Sequence, residues 1–110
     1  MASENIEIYH YQNPEIKSFL TQEAISPPLV EYFKKPFHQE SENALKHLGV
    51  IGAQIVREIM VIAGVKEIRI KPKEIRMKKE EWSAWEDIEG QVIEILKRSL
   101  RKKRIRVIKG

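Results

Sequence analysis

The chain has 110 residues, 42% of them apolar, and no cysteine. That is room for one domain with one core, and it excludes a disulfide framework and any zinc or iron–sulfur site built on this chain's own thiolates. Charge is uneven: residues 97–110 hold eight of the 20 Lys and Arg and no acid, leaving residues 1–96 with 12 basic against 16 acidic groups.

In chain order, Ile6, Ile8 and Tyr9, the pair Asn13-Pro14, and then Ile16, Phe19 and Leu20 predict a first hairpin. The residue before a proline is pushed out of the helical region, which favours a turn at Asn13. Ser26-Pro27-Pro28 stops regular structure. Leu29–Lys35 leaves room for one helical turn before Pro36, and the polar run from His38 to Asn43 reads as a loop or the approach to a helix. Residues 26–48 carry the least pattern of any stretch.

From Gly49 the pattern sharpens. Ile51, Ile55, Ile59 and Ile62 recur at helical spacing, Gly64 breaks the run, and the period then changes from about 3.6 to 2. Ile68 and Ile70 alternate with Glu67, Arg69 and Lys71; beyond Pro72-Lys73, Ile75 and Met77 alternate with Glu74, Arg76 and Lys78. This predicts a helix feeding a hairpin whose apolar face packs back on that helix. Ser83-Ala84-Trp85-Glu86 fits a capping box, and Trp85, Ile88, Val92, Ile95, Leu96 and Ser99 continue as a helical stripe. Gly90 inside that helix predicts a close packing approach or a loosened turn. Residues 1–100 are therefore expected to form one α+β domain, a two-layer arrangement in the order ββαββα, with an antiparallel sheet of two hairpins against two main helices. Residues 101–110 are expected to be a basic tail or a short last strand.

This order, with its landmarks, resembles the N-terminal domain of the NifU-like (Nfu) iron–sulfur scaffold proteins. The landmarks are Asn13, Pro14, Lys17 and Phe19 at the first hairpin, Ile62, Gly64 and Val65 at the helix end, Ile75, Met77 and Lys79 in the second hairpin, and Trp85, Ile88, Val92 and Ile95 in the last helix. The similarity spans about residues 5–96. Glu89 stands where the family often has proline, and the Cys-x-x-Cys pair that binds the cluster in the second half of a full Nfu protein has no counterpart here. The resemblance implies a non-catalytic interaction or scaffold role near iron–sulfur biogenesis, with the thiolates supplied by a protein partner and no cofactor on this chain.

A second reading is nucleic-acid binding. Gly49-Val50-Ile51-Gly52 spells the G-x-x-G of a KH-like loop, but its inner positions are apolar, which favours the first turn of a helix with a close-packed glycine. The hairpin's outer face would present Arg69, Lys71, Arg76 and Lys78, yet the hairpin carries no aromatic side chain on which bases could stack. Arg101, Lys102, Lys103 and Arg104 open a one-signed run able to bind nucleic acid or another polyanion in a salt-dependent way. His10, His38 and His47 show no i,i+4 pairing, and no nucleophile stands at meaningful spacing from a base, so neither a histidine metal site nor an enzyme is expected. No apolar run reaches the ~18–20 residues of a membrane span and the first residues lack a signal-peptide layout, so a cytoplasmic protein without a membrane partner is expected. Trp82, outside the apolar stripe, is the expected partner contact, together with the hairpin's outer face and the tail.

Overall fold

The computed structural model describes the backbone of residues 5–104 and the side chains of residues 5–101. Strands β1 (Glu7–His10) and β2 (Ile16–Leu20) form the first hairpin. Its turn is closed by Asn13, whose Oδ1 accepts from the Glu15 N–H at 2.9 Å while its carbonyl accepts from the Ile16 N–H at 3.1 Å. Helix α2 (Gly49–Met60) leads through Gly64 into β4 (Val65–Lys71) and β5 (Glu74–Lys79), as the change of period predicts. With β3 (Glu31–Lys34), the strands of the described residues join in one antiparallel sheet of order β1-β2-β5-β4-β3, so the first hairpin adds to the far edge of the second.

The weakly patterned stretch holds two further elements. The helical turn expected between Leu29 and Lys35 is instead strand β3 (Glu31–Lys34), paired with β4 so that Phe33 faces Ile68 and Tyr32 faces Arg69. Only one of its residues, Phe33, is buried, which is why four residues show no readable alternation. A short helix, α1 (Gln39–Leu45), follows, with the His38 N–H donating to Ser41 Oγ at 3.3 Å.

Helix α3 (Glu89–Arg104) begins later than expected. Trp85–Asp87 form a tight 3-10 turn ahead of it, and Ser83 caps nothing: its hydroxyl donates to the carbonyls of Glu80, at 2.8 Å, and Gly64, at 3.3 Å. The N-cap position falls on Ala84, one residue later, while Ser83 lies against Gly64. Gly64 has φ +96°, and a Cβ built on it would stand 2.5 Å from the Ser83 Cβ. Both chain reversal and close approach therefore demand glycine there. Gly90 is different, since a Cβ on it would meet nothing within 4 Å, so the close approach predicted for it is absent.

Helices α2 and α3 cover one face of the sheet. Ile55, Ile59, Val92, Leu96 and Leu100 from the helices meet Phe19, Ile68, Ile70, Ile75 and Met77 from the strands in a single buried cluster. Trp85 closes one margin of it, its ring 6.4 Å from that of Phe19 and its Nε1 donating to the Pro14 carbonyl at 2.7 Å. Gly49–Gly52 is the first turn of α2, and Gly52 is buried, a Cβ there being 3.0 Å from the Ile25 carbonyl oxygen. The segment is a packed helix turn with no room for a nucleic-acid backbone at Gly52. Among the described residues no helix is long and apolar enough to cross a membrane.

Candidate functional site

Among the described residues, the other face of the sheet carries no helix. Directly opposed residues of antiparallel strands share a face, so the register fixes its membership. Ile68, Ile70, Ile75 and Met77 point into the core, and Glu67, Arg69, Lys71, Glu74, Arg76 and Lys78 point away from it, as the alternation predicts. Register then carries the face outward to Tyr32 and Lys34 on β3 and to Ile16, Ser18, Leu20, Glu7 and Tyr9 on β2 and β1.

One transverse row crosses all five strands. Tyr32 pairs with Arg69, Arg69 with Arg76, Arg76 with Ser18, and Ser18 with Tyr9. The two arginines stand side by side in the middle, and the two end rings are open to solvent, Tyr32 at 66% and Tyr9 at 56%. Glu74 organises the centre: its Oε2 accepts from Ser18 Oγ at 2.6 Å and from Arg69 Nη2 at 3.1 Å. The Tyr11 hydroxyl bonds to Ser18 Oγ at 2.8 Å, and the Tyr11 ring meets Tyr9 edge-on with centroids 4.8 Å apart. Serine 18 is thus buried beneath a polar network although it lies on the open face.

The network leaves donors over. Arg69 Nε is buried and has no acceptor, and the Arg76 guanidinium makes no hydrogen bond or ion pair among the described residues. Beside them lies a cleft of about 190 Å³ lined by Ile16, Tyr32, Glu67, Arg69, Arg76 and Lys78. The unbonded Arg76 guanidinium, beside the Arg69–Glu74 pair, suits an oxyanion that accepts two parallel hydrogen bonds, such as a carboxylate or a phosphate.

Of the residues singled out in the sequence, Arg69, Lys71, Arg76 and Lys78 share this face. Trp82 sits in the β5–α3 connection and is 73% exposed. Arg101, Lys102, Lys103 and Arg104 are the last turn of α3, in the layer on the opposite side of the sheet, and Arg101 pairs with Glu94 at 3.8 Å. A short last strand after Arg104 falls outside the described residues. Tyr9 and Tyr32 went unread as site residues; their exposed rings alternate with Ile8, packed against the core, and the buried Phe33, but only strand pairing reveals that they flank the arginines.

A metal centre has no such setting. The chain has no cysteine, and among the described residues no three or more His, Asp or Glu side chains are grouped to hold an ion. The residues present therefore do not fit a resident iron–sulfur cluster.

No protein-family model and no curated protein sequence matches the chain. Solved structures do. A NifU-like protein from Saccharomyces cerevisiae superposes with a TM-score of 0.65 at 19% identity, over 89% of this chain and 79% of that one. Protein SAV1430 from Staphylococcus aureus gives a TM-score of 0.60 at 17% identity in its crystal structure, over 83% of this chain and 96% of that one. Its solution structure gives 0.57 at 15%, over 96% of both chains. At these identities the likeness is one of fold, and the fold is NifU-like.

Proposed function

We propose that the chain is a non-catalytic interaction domain accessory to iron–sulfur cluster assembly, equivalent to the N-terminal domain of a NifU-like scaffold and working beside a cysteine-bearing protein. The observation that carries the reading is the pairing of a NifU-like fold with a sequence that has no cysteine. The cluster in this scheme is cargo on the partner. What this chain contributes is surface, and Trp82, a large and exposed apolar side chain on a short connection, is the side chain best suited to anchor a protein contact.

The test is isothermal titration of the full chain with a Cys-x-x-Cys NifU-like domain from the same source, in both cluster-free and cluster-loaded forms. Saturable binding that weakens about tenfold or more in Trp82→Ala is expected. Absence of binding to either form overturns the reading and leaves the resemblance as one of fold.

A further inference from the structure

The open sheet face has a composition that the proposed scaffold role does not use. Its cations are Lys34, Arg69, Lys71, Arg76 and Lys78 and its acids Glu7, Glu67 and Glu74, whereas the rest of residues 1–96 holds seven basic and 13 acidic groups. The face is therefore a positive island on the acidic body of residues 1–96, apart from the one-signed run of residues 97–110, and it attracts anions. One of the three acids, Glu74, is already engaged by Arg69 and Ser18, so it detracts little from what Arg76 offers.

Rings as well as charges define the occupant. Four strand spacings of about 4.8 Å separate Tyr32 from Tyr9, so the row spans about 19 Å from ring to ring. Between them lie Arg76, whose donors are unmet among the described residues, and Arg69, held in place by Glu74. Flat aromatic faces at both ends with cations between match a strand of alternating flat bases and phosphates. They do not match a duplex, whose bases are stacked on one another and hidden from protein rings. An acidic peptide would satisfy the arginines, but it does not repeat a flat face along its backbone as a run of bases does. Tyr9 is also held ready, since Tyr11 braces it edge-on and is itself tied to Ser18, which lowers the entropy lost on binding.

We propose that the open face of the sheet binds single-stranded nucleic acid, with a backbone phosphate at the Arg69–Arg76 pair and bases stacked on Tyr32 and Tyr9. The hairpin alone lacks a stacking platform; the strands on either side complete one. This site is distinct from a basic-tail or glycine-loop mode, because Arg101–Arg104 lie in the helical layer and Gly52 is packed against Ile25 and Leu48.

Fluorescence anisotropy of labelled decauridylate with the full chain at low salt tests this. Tyr32→Ala and Tyr9→Ala leave every charge in place, so binding through the tail alone would not change. Each is expected to weaken binding about fivefold to a hundredfold, and Tyr32→Phe to restore it. Arg76→Gln is expected to weaken binding about tenfold and to flatten its salt dependence. Circular dichroism of each variant checks the fold, which these positions on the open face, outside the core, should leave intact. Lack of binding at low salt, affinity unmoved by both tyrosine substitutions, equal affinity for a duplex of the same length, or displacement of the oligonucleotide by an equimolar polyglutamate peptide would each overturn the proposal.

Discussion

The two faces of this sheet are built from the same strands and alternate residues, yet they obey different rules. Phe19 and Ser18 are neighbours on β2: one is locked among helix side chains, the other sits under a tyrosine hydroxyl and a carboxylate. At the inner face's buried positions, Phe19, Ile68, Ile70, Ile75 and Met77, helix side chains close the space, so identity there is dictated by volume. Outside, the central polar network is satisfied only in part, and arginine donors remain without acceptors. Where packing decides, substitution costs stability; where donors are left over, substitution should cost binding and little else.

That contrast can be broken at graded points. Phe19→Ala removes a fully buried ring from the middle of the inner face and is expected to cost about 3–5 kcal/mol in urea unfolding. Gly64→Ala, at the reversal that feeds β4, combines a left-handed backbone with a collision against Ser83 and should cost about 2–4 kcal/mol by the same measure. Gly90→Ala goes the other way: with open space around it and an ordinary helical position, it should gain about 1 kcal/mol, seen as a raised midpoint of thermal unfolding. Smallest is Tyr32→Ala, expected to stay within about 0.5 kcal/mol of the parent. A loss there comparable to that of Phe19→Ala would show that the open face is part of the structural core and sink the division between the faces.

Legibility followed the same division. Helix α2 and the β4–β5 hairpin were readable because an amphipathic period survives along them, and the reversal at Gly64 is marked by the one residue that tolerates it. Strand β3 and helix α1 were not, since β3 buries a single side chain and α1 a single leucine, too few to make a period. The capping box at Ser83 failed because the chain enters its first helical turn one residue later, at Ala84, with Ser83 held against Gly64 by tertiary contact. Arg69, Lys71, Arg76 and Lys78 were legible as one face from alternation alone. The two tyrosines were not legible as part of the site, because nothing local says that residue 9 and residue 32 end the same row. Cross-strand register is a property of pairing between distant segments, and a single sequence does not display it.

The order of strands also sets a schedule. Strand β2 comes from the first twenty residues, but its lasting partner β5 is not complete until Lys79. A lone two-stranded hairpin is marginal in water. During synthesis β1 and β2 therefore wait, unsupported, while α2, β4 and β5 are made; these elements are close in sequence and can associate as soon as they emerge. Of the sheet's two hairpins, the one made earlier is then the later to find its place.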